Sequence, residues 1–125
     1  MSDAPVIRRI TRTDFDAWQR FFDPAEPVYA LVAEQDGQLV GTTHYLYHRS
    51  TTRIALTCYL QDLFTAPGRR GRGIGRALIH GVYAQAHGAG IQRVYWMTHE
   101  TNAAGKLLYD KVAQHLGFLV YTHDV

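Results

Sequence analysis

Apolar positions recur along this chain with two periods, two for strands and about 3.6 for helices. The switches between them predict the order β-α-β-β-β-α-β-α-β. Val6 to Ile10 is a short apolar-rich strand. Thr11-Arg12-Thr13-Asp14 has the Thr-x-x-acid form of a helix start. That helix carries Phe15, Trp18, Phe21 and Phe22 and ends before Pro24. Val28 to Gln35 is a strand, Asp36-Gly37 a hairpin turn and Gln38 to Tyr47 the next strand. A turn over His48 to Arg53 leads into Ile54 to Thr65, the third strand of a meander. Ile74, Ala77, Leu78, Gly81 and Val82 then fall at i, i+3, i+4, i+7 and i+8, one buried helix face. His87-Gly88-Ala89-Gly90 breaks the helix, and Arg93 to Thr98 is a strand. A helix joins this strand to Ile54–Thr65, so the two are predicted to be parallel with a right-handed crossover. Asn102 to Leu116 is the last helix, with Ala104, Leu108, Val112 and Leu116 on one stripe. Gly117 is expected to cap it, and Phe118 to Thr122 to close the fold as a strand.

This pattern gives an α/β (α+β) fold class with a mixed sheet. At 125 residues the chain is expected to form a single domain, residues 1–125, with one core. No apolar run reaches membrane-spanning length, and Met1-Ser2-Asp3-Ala4-Pro5 does not read as a signal peptide. The single Cys58 excludes an internal disulfide and suits a reducing cytoplasm. Its place in an apolar strand marks it as a buried structural thiol.

Charge adds one feature. Of 13 basic residues, four lie between Arg69 and Arg76, and without them the balance of +2 becomes nine basic against eleven acidic, or −2. The chain is therefore not broadly basic, and a nucleic-acid partner is not expected. The positive patch falls between the strand ending at Thr65 and the helix starting at Ile74, in the loop Pro67-Gly68-Arg69-Arg70-Gly71-Arg72-Gly73. Glycines let a ligand approach the backbone. The helix N-terminus supplies unpaired N–H groups and partial positive charge, and arginines supply full charge. Together these make a cradle for phosphate.

Two common phosphate motifs fail on spacing. A P-loop needs Lys and Ser/Thr after its second glycine, where this chain has Ile74 and Gly75. A dinucleotide fingerprint needs a third glycine where Arg76 stands and an acid near the position of Arg93. The loop does resemble the acetyl-CoA signature of the GNAT acetyltransferases, [Q/R]-x-x-G-x-[G/A], as Arg70-Gly71-Arg72-Gly73-Ile74-Gly75. The element order resembles the GNAT fold from about Val6 to Tyr121: an antiparallel meander, a parallel strand pair around the cofactor, and flanking helices. Asn102, Tyr109 and Gly117-Phe118 resemble the family's N-…-Y-…-G-F tail. The run LYDKVAQHLGF is similar to the polyamine and histone acetyltransferase branch. Two departures stand out. Only about seventeen residues separate the first two strands, room for one helix where the family usually has two. Tyr109 to Gly117 is also longer than in many members.

The resemblance implies an N-acetyltransferase that moves acetyl directly from acetyl-CoA to a primary amine, a small amine or a protein lysine. The pyrophosphate is expected on Arg70, Gly71, Arg72, Gly73, Ile74, Gly75 and Arg76. The pantetheine arm is expected along the backbone of Leu63, Phe64 and Thr65, where an N–H would polarise the thioester carbonyl. Asn102 is expected to cap the last helix and touch the cofactor. Tyr109 is the expected general acid: a phenol with an ordinary pKa near ~10 is protonated at neutral pH and can donate to a departing thiolate. Asp62 is the first choice of base, with Glu100, His99 or a water relay behind it. Asp23, Glu26 and Glu34 fall near the expected acceptor floor. The seven histidines lack metal-ligand spacing, His44 and His48 included, so no metal is expected. The assembly expected is a cytoplasmic homodimer joined through Phe118 to Thr122. The rival readings are a non-catalytic acyl-CoA-binding module of the same fold, and a nucleic-acid binder using the RRGRG run.

Overall fold

The computed structural model describes residues 4–11 and 28–125. The helix expected over 11–22, and Asp23 and Glu26 with it, lie outside the described residues apart from Thr11. Five strands form one sheet in the order β1-β2-β3-β4-β5. They are β1 (Val6–Arg9), β2 (Val28–Gln35), β3 (Gln38–Ser50), β4 (Arg53–Thr65) and β5 (Val94–Tyr95). The first four are antiparallel neighbours, and β5 runs parallel to β4. Helix α1 (Ile74–Gly88) makes the crossover between them, and α2 (Ala103–Val112) follows β5.

The hairpin between β2 and β3 turns on Asp36 and Gly37, with φ of 54° and 76°, the geometry that matches the twist of the flanking strands. The meander is longer than its pattern suggests. β3 continues to Ser50 and turns on Thr51-Thr52, because the polar residues His48, Arg49 and Ser50 still find ladder or side-chain partners there.

Helix α1 buries Ile74, Leu78, Ile79, Val82 and Ala86 against Leu31, Ala33, Val40, Tyr45, Cys58 and Leu60 of the sheet. Gly41 on β3 allows the close approach. A Cβ there would lie 2.9 Å from both Ile74 Cγ2 and the Phe64 carbonyl. The missing side chain therefore seats the first turn of α1 directly on the sheet, beside the end of β4.

The C-terminal sixth of the chain departs from the expected pattern. Helix α2 stops at Val112 rather than Leu116, and Ala113 is already extended at φ −151° and ψ −172°. The Tyr83 hydroxyl donates to the Val112 carbonyl at 2.8 Å, so a residue of α1 closes the last turn. Gly117 therefore caps nothing. Phe118 to Thr122 forms no strand: residues 114–125 carry no ladder and are all exposed. β5 likewise pairs over two residues, not over Arg93 to Thr98.

Candidate active site

β4 is the strand around which the site is built. Its register against β3 runs Thr43↔Leu63, His44↔Asp62 and then Tyr45↔Leu60, so Gln61 is an extra residue. Such a bulge takes one residue out of the ladder and re-aims its neighbours. Thr43, fully buried, donates its hydroxyl to the Asp62 carbonyl at 2.7 Å and holds the bulge in place. On its other side β4 meets β5 only at Cys58 and Tyr59. From Leu60 to Thr65 the strand has no ladder partner on that edge among the described residues.

A cleft opens where the two parallel strands separate. Its walls are Leu60, Gln61, Asp62 and Leu63 of β4, Ile79 of α1, Trp96 and Met97 after β5, and Tyr109 of α2. Its volume of about 180 Å³ is below the roughly 300 Å³ of pockets that enclose drug-sized ligands. It suits the reacting end of a long molecule rather than the whole of one.

Tyr109 reaches the cleft because α2 is held at both ends. At its start Asn102 Oδ1 accepts from the Gly105 N–H at 3.1 Å, a side-chain N-cap, while Asn102 Nδ2 donates to Thr98 Oγ1 at 3.0 Å. At its end stands the bond from Tyr83. Between them Trp96 packs edge-on against the Tyr109 ring, with centroids 5.4 Å apart. Among the described residues nothing hydrogen-bonds the Tyr109 hydroxyl. Burial pushes its pKa above the ordinary 10.0 of a tyrosine, so it holds its proton through neutral pH.

Asp62 is also at the cleft, and its carboxylate meets His44 Nδ1 at 3.1 Å. The pattern of histidines along the chain hid this pair. It forms across strands, and only the β3–β4 register brings the two residues opposite each other. Glu100 and His99 do not line the cleft; they are exposed in the turn before α2. Glu34, expected near the acceptor floor, is paired with Arg8 at 2.8 Å. Phe64 and Thr65 lie further along β4 than the cleft, and only Leu63 of the three expected pantetheine residues lines it.

The Gly-Arg loop lies beyond the end of β4. Pro67–Arg69 is a single 3-10 turn, Gly71 and Gly73 take φ of 78° and 80°, and α1 begins at Ile74 without a side-chain cap. A Cβ at Gly71 or Gly73 would meet nothing within 4 Å, so the backbone is open to an approaching group. The arginines divide. Arg69 is committed to the sheet, donating to Gln35 and Gln38. Arg70, Arg72 and Arg76 are exposed. Uncapped N–H groups, open backbone and three unburied guanidiniums fit a polyphosphate. Among the described residues no group of three or more His, Cys, Asp or Glu could hold a metal ion.

A parallel strand pair parted beside a bulge, with a Gly-Arg turn leading into the crossover helix, defines the acetyltransferase-type α/β architecture. The chain belongs to the acetyltransferase (GNAT) family, whose model matches residues 3–115. It is 35% identical over 107 residues to the D-amino-acid N-acetyltransferase HPA3 of Saccharomyces cerevisiae, a match covering 84% of this chain and 66% of that protein. The chain thus spans just under two thirds of that relative's length. Solved structures share the fold at low identity. An aminoglycoside acetyltransferase, HMB0005, from an uncultured soil metagenomic sample superposes with a TM-score of 0.85 at 18% identity, covering 100% of this chain and 99% of its own. The ribosomal-protein-alanine N-acetyltransferase of Brucella melitensis gives 0.82 at 19% identity, covering 98% and 99%. The aminoglycoside N-acetyltransferase AAC(6')-Iy, solved in complex with CoA, gives 0.79 at 16% identity, covering 96% and 98%.

Proposed function

We propose that this chain is an N-acetyltransferase that takes acetyl from acetyl-CoA and places it on the primary amine of a small molecule or a protein lysine. The observation that carries the reading is one cleft lined by Tyr109, Asp62 and the bulged backbone of β4, near the phosphate-type cradle that opens α1. Acetyl-CoA supplies the activated thioester. The loop from Arg70 to Arg76, with Gly71, Gly73, Ile74 and Gly75, holds the pyrophosphate. The free edge of β4, with Leu63, Phe64 and Thr65, takes the extended pantetheine arm, and Asn102 supports the cofactor from the start of α2.

Each residue then has one task. A backbone N–H of the bulged stretch donates to the thioester carbonyl, where negative charge develops. Asp62, with His44 beside it, accepts the proton that the ammonium must lose before the amine attacks. Tyr109 gives its proton to the departing thiolate sulfur and regains one from solvent. The names of the relatives favour a compact amine, an amino acid or an aminoglycoside, as the first acceptors to try. A cytoplasmic setting and a homodimer belong to the same reading, supported by the free buried thiol of Cys58 and by an exposed apolar C-terminus.

The test is a thiol-release assay with acetyl-CoA over D- and L-amino acids, polyamines, aminoglycosides and lysine peptides. Turnover on at least one amine, lowered about 10²-fold or more by Asp62→Asn, supports the reading. Tight CoA binding with no turnover on any amine points instead to a binding module. Affinity for RNA or DNA that falls steeply with salt points to a nucleic-acid binder.

A further inference from the structure

Asp62 belongs to a second surface besides the cleft. Tyr45 and Tyr47 of β3 pack toward the core under α1, so His44, Leu46 and His48 point to the opposite face of the sheet. On β4 their register partners are Asp62, Tyr59 and Thr57. β5 adds Tyr95, whose ring centroid lies 4.9 Å from that of Tyr59. This face therefore carries a carboxylate at one end and an aromatic platform beside it.

The Tyr95 ring is held in place. Its hydroxyl lies 2.7 Å from His48 Nε2, and the two rings meet edge-on. His48 Nδ1 lies 2.8 Å from the Arg49 carbonyl, which can only accept. Nδ1 therefore carries the imidazole proton, and Nε2 accepts from Tyr95. Burial raises the Tyr95 pKa above the ordinary 10.0, which keeps the donor protonated. β3 and β5 flank β4, so this bond crosses the strand that carries Tyr59 and keeps the two tyrosine rings together. Tyr95 is nevertheless 36% exposed. A ring already immobilised loses little freedom when a ligand packs on it.

We infer that the Tyr59–Tyr95 platform is the side-chain site of the acceptor. It selects primary amines that carry an aromatic ring or a branched apolar group on a short linker, over polyamines and aminoglycosides. The inference rests on the acetyltransferase reading and narrows it. Continuity commits the platform to this occupant: Asp62 lines the cleft and stands on the same face, and Met97, just past Tyr95, lines the cleft as well. Charge agrees. The Asp62 side chain is 59% exposed and attracts an ammonium, whereas Leu46, Tyr59 and Tyr95 carry no charge. The His44–Asp62 and Leu46–Tyr59 rows stand one strand repeat apart, about 7 Å. An amine on the carbon beside a benzyl group spans that distance, with its nitrogen at Asp62 and its ring on Tyr59 and Tyr95. A second ammonium or a hydroxyl-rich ring would lose its water on the platform without a carboxylate there to replace it. His48 touches no substrate in this arrangement; it is a positioning residue that acts through Tyr95.

The experiment compares phenethylamine, ethylamine and spermidine in the thiol-release assay with acetyl-CoA. For wild type, kcat/KM should be about 10-fold or more higher for phenethylamine than for either other amine. Tyr95→Ala should lower the phenethylamine-to-ethylamine ratio about 10-fold, mainly through KM for the amine. His48→Leu should lower the same ratio, and His48→Gln, which keeps an acceptor for the Tyr95 hydroxyl, should restore most of it. Each ratio is taken on one preparation, so the folded fraction cancels. A preference for spermidine, or a ratio that survives Tyr95→Ala, would overturn the assignment and leave the acetyltransferase reading standing. Saturation-transfer NMR covers the opposite case. The ring protons of phenethylamine should gain saturation from wild type and lose it with Tyr95→Ala. That result without turnover on any amine would sink the enzymatic reading and keep the platform. No transfer from wild type at millimolar phenethylamine would overturn the platform.

Discussion

At the scale of single residues, the Tyr109 hydroxyl stands apart from ordinary packing. It faces a cleft, its ring is gripped by Trp96, and no described residue hydrogen-bonds its oxygen. Tyr109→Phe therefore removes a proton donor without orphaning a partner. We expect kcat to fall by about 10²–10⁴-fold, with KM for acetyl-CoA and the melting temperature nearly unchanged. A kcat within threefold of wild type would remove Tyr109 from the chemistry. Burial raises its pKa, so its acid form persists beyond pH 10 and the alkaline limb of kcat it controls should lie above that value. Cys58 gives the second residue-scale prediction. Burial pushes its thiol from 9.0 up to about 12. The native protein should resist thiol reagents at pH 8 and react only once unfolded. Because the folded pKa is the higher one, the neutral thiol's contribution to stability is complete below about 9 and is lost as pH rises toward 12. Rapid native-state labelling would show that the strand is not closed over it.

Elements place these residues, and the bulge in β4 is the decisive one. An unbroken β3–β4 ladder would turn Asp62 and Leu63 to the opposite faces, since a one-residue slip inverts every side chain. The buried Thr43 hydroxyl holds the bulged strand through the Asp62 carbonyl. Thr43→Val keeps the shape and deletes the donor. It should cost about 1–3 kcal/mol, the penalty for an unsatisfied buried carbonyl, and lower kcat more than it alters CoA affinity. Chemical denaturation and steady-state kinetics on one preparation check both. A fully active Thr43→Val would show that the bulge stands without its hydroxyl anchor.

Across the whole molecule, cradle, cleft and core are linked through α1, whose first turn follows the open Gly-Arg loop and whose apolar face packs on the sheet. Acetyl-CoA should therefore stabilise the entire fold. At a hundredfold excess over Kd the gain is about 2.7 kcal/mol, worth roughly 10 °C for a chain of this size at about 2.1 cal/mol/K of unfolding entropy per residue. Two glycines make the comparison specific. Gly73 caps α1 at φ 80°, where valine is strained, whereas Gly68 has neither a left-handed φ nor a neighbour within 4 Å. Gly73→Val should abolish the ligand-induced shift and Gly68→Val should keep it. Equal shifts in the two variants would move the phosphate site elsewhere.

Local chemistry determined much of this in advance. The Asp36-Gly37 hairpin, the apolar face of α1, the Asn102 cap and the strand–Gly-Arg–helix order each depend on neighbours within about one turn or one hairpin, so the sequence alone carries them. Three features needed the tertiary structure. The His44–Asp62 pair exists through cross-strand register. The division of the arginines depends on Gln35 and Gln38 meeting Arg69 alone. The end of α2 is set by Tyr83, 29 positions before Val112. Phe118 to Thr122, expected as a strand, forms none for the same reason. β-propensity marks a segment that can pair, but pairing needs a second edge, and that edge belongs to three-dimensional packing.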